Sequence, residues 1–256
     1  MDLLVNTDVL PLGELRKTLI RLEDTITFAF IERAQFKLNK KIYTPGEIHL
    51  PDGEHKSFLE YFLHEVEAVH AKVRRYTSPD EYPFTDDLPK PVLPPLEWPI
   101  FLKSNSINLN KKIFQTYITE IAPKICSEGD DMNHGTAATL DIEVLQALSR
   151  RIHYGKFIAE AKYQDPKNRD KYIELIKNKD REAIMALLTD SAVEEQLLKR
   201  LRRKAEIYGQ DVVDGETDQR PSNYKIGVDL VANTYRDFVI PLTKEVEVLY
   251  LLARLD

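Results

Sequence analysis

The sequence is poor in glycine, nearly without cysteine and without any long apolar run. Nine glycines in 256 residues are about half the usual ~7%. That is too few for many tight β-turns or glycine-rich nucleotide loops, so a mostly helical fold is expected. A single cysteine, Cys126, excludes an internal disulfide and a cysteine-based metal cluster and suits a reducing compartment, the cytoplasm by default. No stretch approaches the ~20 apolar residues of a membrane span. The early Asp2, Asp8, Glu14, Glu23 and Asp24 fit neither a spanning helix nor a signal peptide. Excess positive charge is missing too: 36 Lys+Arg against 42 Asp+Glu leave −6. The molecule as a whole should therefore repel nucleic acid and anionic lipid, and any anionic ligand must be held by a local cluster.

Several chemistries lack their motifs. There is no GxGxxG, GxxxxGK or GxSxG, so nucleotide cradles and serine-hydrolase elbows have no support. His64 and His70 stand about 240° apart on a helix and cannot act as the i, i+4 ligand pair of a zinc helix. No metal and no cofactor are expected. Cys126 reads as a small core residue. The basic run from Lys199 to Lys204 reads as a solvated helix face, with Glu195–Lys199 and Arg202–Glu206 at pairing distance.

What is present is helical periodicity. Leu15, Leu19, Leu22, Ile26 and Phe30 form one stripe over residues 12–36, with Arg16, Glu23 and Arg33 off it. A second helix is predicted over 56–76 with Leu59, Phe62, Val66, Val69 and Val73 inward. Seven of the fourteen prolines then fall between 79 and 99, which predicts an ordered, extended crossing loop over about 78–105. Helical spacing resumes from Leu109 to Ile125, and a turn follows at 127–135. One long helix is predicted over about 136–164, then short ones near 168–178 and 181–188. Ser191 is the expected N-cap of a helix reaching Tyr208, with Gly209 as its stop. A polar loop over 210–224 precedes a last helix from Val228, which Pro241 should kink. Without an alternating strand, the expected class is all-α: a single-domain multi-helix bundle over 1–256.

The most informative segment is ALSRRIHYGKFIAEAKY, residues 147–163. Arg151, Gly155, Ile158 and Lys162 share a face, with the two cations about 16 Å apart along the axis. Gly155 costs about 1 kcal/mol in mid-helix. Either a ligand lies between the two cations, or a crossing helix needs the space and the cations pair with a neighbour's acids.

This segment, together with IRLEDTITFAFIERAQF (20–36), VRRYTSPDEYPF (73–84) and VIPLTKEVEVLYLL (239–252), resembles the allosteric, all-helical chorismate mutases of fungi and plants. The resemblance implies a homodimer with an active site in each helical bundle and a regulatory site at the dimer interface. It also implies a cofactor-free rearrangement of chorismate to prephenate in phenylalanine and tyrosine synthesis. By the same resemblance Arg16 and Arg151 bind the substrate carboxylates, and Lys162 and a protonated Glu247 donate to the ether oxygen. Glu194 receives the ring hydroxyl, and Thr243 lies near a carboxylate. Asp190 stands where fungal relatives have asparagine, and a helix cap would turn it away from substrate. Arg74, Arg75, Gly135, Thr136 and Thr139 match an effector site where tyrosine inhibits and tryptophan activates. Met132, Thr136 and Gly227 depart from that site's fungal pattern. The competing class is a non-catalytic helical module on the same fold that binds a small anion or a partner helix.

Overall fold

A computed structural model describes residues 3, 10–51, 55–210 and 224–255. The predicted polar loop at 210–224 falls almost wholly on 211–223, outside the described residues. Eleven α-helices carry the described fold, and the only β-pairing among the described residues is an isolated bridge between Gln210 and Tyr224. The all-α class therefore holds.

Helix α1 (Leu12–Arg33) buries Leu15, Leu22, Ile26 and Phe30 as its stripe requires. Glu23 and Arg33, which lie off that stripe, are also buried, because α1 is covered on more than one side and both side chains are ion-paired. Helix α2 (Phe58–Lys72) starts at a capping box: the Ser57 hydroxyl accepts from Glu60 N, and the Glu60 carboxylate accepts from Ser57 N. Its inward face matches the predicted one at Leu59, Phe62 and Val66, which pack on the main core, but not at Val69 and Val73. Leu59, Leu63, Glu67 and Ala71 are buried, whereas Val69 and Val73 are 59% and 54% exposed. The phase is set by Glu67, whose carboxylate accepts from Phe84 N, Thr85 N and the Thr85 hydroxyl of the crossing loop. A buried charge with three donors outweighs two valines.

The crossing loop packs on the body at its two ends, around Tyr82 and Phe84 and around Trp98 and Phe101, while residues 90–97 between them are exposed. Tyr82 stacks on His153 with ring centroids 4.5 Å apart, and Asn110 Nδ2 donates to the carbonyls of Tyr82 and Pro83. The loop feeds α3 (Asn110–Thr116), a π-helical turn (Tyr117–Ile121) and α4 (Ala122–Ile125). The last helix repeats this device as α10 (Val228–Thr234), a π turn (Tyr235–Val239) and α11 (Ile240–Leu252). Each π turn lies just before a proline, Pro123 or Pro241. The wider turn makes room for the ring and for the carbonyl that loses its N–H partner.

The predicted single helix over 136–164 is two: α5 (His134–His153) and α6 (Gly155–Gln164), broken at Tyr154. Helices α7 (Arg169–Lys177) and α8 (Arg181–Leu188) follow. Helix α9 (Ser191–Tyr208) is capped by Asp190 rather than Ser191, with the Asp190 carboxylate accepting from Val193 N at 3.2 Å, and Gly209 ends it. On α9, Glu195 pairs with Lys199, but Arg202 reaches Asp229 instead of Glu206. Arg200 and Lys204 turn in to the buried Glu23.

Helix α11 is central. It packs against α5, α6, α7 and α8. Val246 joins the large core around Phe30, Tyr117 and Leu145, and Val248 and Leu251 join a second core with Tyr172 and Ile184. Gly155 answers its own question. A Cβ there would lie 3.0 Å from Thr243 Cγ2 and 3.1 Å from Thr243 O, so the crossing helix, and not a ligand, occupies the space beside it.

Candidate active site

The broken helix and α11 form one wall of a cavity of about 120 Å³. That is well above the ~10–15 Å³ that a single water needs, so the cavity has room for a small ligand. Arg16 comes from α1, Arg151 from the end of α5, Lys162 from α6, Glu194 from the first turn of α9, and Thr243 and Glu247 from successive turns of α11. All six residues singled out from the sequence thus line one pocket. Asp190 and Lys244 line it as well.

The cations are incompletely paired. Arg151 is 4% exposed, yet among the described residues one terminal nitrogen reaches Thr243 Oγ1 at a long 3.4 Å and its Nε is buried without a partner. Its guanidinium also lies over the Tyr235 ring, 5.8 Å from the centroid. Among the described residues neither Arg151 nor Lys162 forms an ion pair with an acid; Arg151 reaches Thr243 and Lys162 the Leu188 carbonyl. Lys162 Nζ donates to the Leu188 carbonyl at 2.5 Å, which leaves two of its three N–H groups for the cavity.

The acids are restrained. Glu194 pairs with Lys244 at 2.7 Å, so its charge is balanced at the wall. Glu247 is buried, and burial raises its pKa to about 7 against the opposing pull of Lys162, Arg151 and Lys244. Near neutrality it therefore offers a carboxylic O–H about as often as a carboxylate. The lining carries four basic side chains, Arg16, Arg151, Lys162 and Lys244, against three acids, Asp190, Glu194 and Glu247, the last with a raised pKa, so cations are in excess here in a molecule of net charge −6. Such an excess is what a local anion site requires.

The effector candidates fall into two groups within one chain. Arg74 sits at positive φ and its guanidinium donates to the Pro94 carbonyl. Arg75 pairs with Glu81 at 3.2 Å and donates to Gln146 Oε1 at 2.7 Å. Gly135, Thr136 and Thr139 are exposed in the first turns of α5. Gln146 lies seven residues beyond Thr139, about 10 Å along that helix, so a single chain does not bring the two groups together. Arg75 instead borders a second cavity, of about 500 Å³, with Arg21, Phe28, Glu143 and Arg150.

Sequence reasoning missed Lys244. Its signal was available: it neighbours Thr243 and lies three residues before Glu247, on the same helical face. It also missed His153 and Lys156, buried at the α5–α6 break. His153 Nε2 accepts from Leu109 N, and Lys156 Nζ donates to the Ile107 carbonyl. Cys126 is a buried core thiol, as expected, and burial pushes its pKa up to about 11.

Comparison with known proteins gives this pocket its context. The family model for chorismate mutase type II matches residues 134–248, which include α5, α6 and most of α11. The chorismate mutase of Schizosaccharomyces pombe is 52% identical over 258 residues, covering 98% of this chain and 99% of the relative. The crystal structure of Aro7p chorismate mutase from Candida albicans, in complex with L-Trp, has a TM-score of 0.91 at 44% identity and covers 100% of this chain and 95% of that one. AtCM1 with tyrosine bound in its allosteric site has a TM-score of 0.87, again at 44% identity, covering 98% and 99%. Identity of this order over the whole fold, not only around the cavity, shows that the chain belongs to the chorismate mutase family, enzymes that rearrange chorismate to prephenate.

Proposed function

We infer that Arg16, Arg151, Lys162, Glu194, Thr243 and Glu247 form the working site for this rearrangement. The reaction needs no nucleophile: an ether carbon–oxygen bond breaks while a carbon–carbon bond forms within one dianionic molecule. The protein must fold the enolpyruvyl arm over the ring and stabilise negative charge growing on the ether oxygen. Arg16 and Arg151 clamp the two carboxylates with charge-assisted hydrogen bonds. Lys162 and the protonated Glu247 donate to the ether oxygen, where their bonds strengthen as the charge develops. Glu194, paired with Lys244, accepts the ring hydroxyl, and Thr243 stands beside a carboxylate. The observation that carries this reading is the convergence of all six on one positive pocket around a buried, under-bonded Arg151. An assay of chorismate loss and prephenate appearance tests it: the parent should turn over, and Arg151→Ala should not.

The same reading covers regulation and assembly. Relatives bind L-Trp or tyrosine, the latter in an allosteric site, and we assign the same effectors to Arg74, Arg75, Gly135, Thr136 and Thr139. Because one chain separates these residues, the site needs a second protomer, so the working form is a homodimer of single-domain chains. The exposed Val69 and Val73 beside Arg74 support an apolar contact there. Light scattering should give twice the chain mass. A cytoplasmic location fits the lone buried thiol, and no helix among the described residues is long and apolar enough to cross a membrane.

A further inference from the structure

We propose that Gly155 is a positioning residue for the rearrangement, fixing the distance between α6 and α11 and thereby the placement of Thr243 and Glu247. The proposal rests on the reading that these two residues act on substrate. A Cβ at Gly155 would meet three atoms at 3.0–3.1 Å: Thr243 Cγ2, Glu247 Cγ and Thr243 O. All three belong to the two residues that α11 contributes to the candidate set. Gly13 and Gly135, also in helices, have nothing within 4 Å of the corresponding point, and Gly209, the C-cap of α9, has its own helix's Ala205 O as its nearest atom at 2.8 Å, whereas at Gly155 all three nearest atoms belong to a crossing helix.

The geometry also says which side would give way. The α6 side is held: Tyr154 is 1% exposed and stacks on Phe157 at 4.9 Å, while Lys156 Nζ is tied to the Ile107 carbonyl. The α11 side follows the π turn Tyr235–Val239, a locally wider segment. An added methyl therefore has to be met by a shift of a few tenths of an ångström in Thr243, Glu247 and the α11 backbone between them. That displacement moves the Thr243 hydroxyl that receives Arg151 and takes Glu247 away from its buried position.

The test compares kcat, KM and pH-rate profiles of the full-length parent, Gly155→Ala, Thr243→Ser and the double variant, with circular dichroism and melting as fold controls. Gly155→Ala should lower kcat about tenfold, with a smaller change in KM. Its alkaline limb should move to lower pH, because burial is the main cause of the raised Glu247 pKa. Thr243→Ser deletes Cγ2, the nearest obstacle, and keeps the hydroxyl, so the double variant should recover part of the loss. Gly13→Ala should behave as the parent. If Gly155→Ala does not fold, the double variant is read against Thr243→Ser alone, with the same direction expected. A folded Gly155→Ala with the parent's kcat and pH profile overturns the proposal, as does a loss that Thr243→Ser does not relieve. Glu247→Gln tests the underlying assignment separately: an unchanged pH slope would remove Glu247 from the chemistry while leaving the packing effect to the serine rescue.

Discussion

Two buried arginines behave differently in this molecule. Arg33 is fully buried, and each of its five N–H donors has an acceptor: Asp141, the carbonyls of Phe36, Lys37 and Leu38, and the Tyr43 hydroxyl. Asp141 is equally well served, accepting from Tyr43 at 2.8 Å and Tyr117 at 2.5 Å besides the arginine. Arg151 is 4% exposed, reaches Thr243 only at 3.4 Å and, among the described residues, leaves its Nε unmatched. Burial alone therefore says nothing about role, whereas the state of the donors does. A cation whose bonds are all made within the chain holds the fold together, and one left under-bonded at a cavity wall has donors to spare, which is what the proposed ligand-binding role of Arg151 requires.

The sharpest way to break this comparison is to truncate both sites. Arg151→Ala should cost about a thousandfold in kcat/KM, since two charge-assisted bonds to substrate disappear, while urea unfolding shifts little. Asp141→Ala should strand Arg33 and cost about 3–5 kcal/mol of stability. If Arg151→Ala unfolded as readily as Asp141→Ala, the distinction between the two arginines would fail.

The same contrast explains what was legible in the sequence. Apolar stripes exposed the helices because burying Leu15, Ile26, Ile113 or Leu145 needs only local periodicity. Pro241 announced its distortion, and Pro123 carries the same one. The inward face of α2 was misread at Val69 and Val73 because Glu67 is buried by backbone donors of Phe84 and Thr85, seventeen and eighteen residues away, and no local pattern reports such partners. The break at Tyr154 was invisible for a similar reason: the residues around it are individually tolerable in a helix, and the break serves contacts to Ile107 and Leu109. The pocket residues were found largely through the family's motifs. Spacing placed Arg151 and Lys162 on one face, but it could not say that α11 crosses between them.

Glu247 sharpens the comparison next, since its burial is satisfied by neutralisation instead of by a partner. Its pKa is raised from the ordinary 4.5 to about 7. If the protonated form donates to the ether oxygen, turnover is fullest below about 7 and falls as pH rises through that value. The linked stability has the same sign. It is fully present below 4.5, and on the order of 3 kcal/mol is lost as pH rises through about 7. Glu247→Gln, which donates at any pH, should keep substantial turnover and flatten the alkaline fall. Glu247→Ala should lose about a hundredfold throughout. Rate profiles and urea midpoints between pH 5 and 9 decide both points. A glutamine variant with the parent's slope would place the titrating group elsewhere.

A smaller effect is expected at the second cavity. Arg75 is already bonded to Glu81 and Gln146, so it resembles Arg33 more than Arg151 within a single chain. Arg75→Ala should still weaken the response to tyrosine severalfold while unstimulated turnover changes less than twofold. Titrating tyrosine against activity measures both. Equal loss of the two would mean that Arg75 supports the fold or the pocket and takes no part in effector binding.

The smallest expected effect concerns Asp190, which combines both behaviours in one side chain. Its carboxylate accepts from Val193 N at the start of α9 and also lines the pocket beside Arg16 and Lys244. As a cap it is satisfied. As a wall charge it opposes a dicarboxylate, an interaction worth about 1 kcal/mol at contact distance in a water-like medium. Asparagine caps a helix about as well as aspartate, so Asp190→Asn separates the two roles. It should leave the melting temperature nearly unchanged, lower KM about two- to fivefold and reduce the dependence of KM on salt. Asp190→Ala should lower KM similarly but lose about 1 kcal/mol of stability with the cap. An asparagine variant whose KM and salt response match the parent's would mean that the capping bond already turns the charge away from substrate, leaving Asp190, like Arg33, entirely a structural residue.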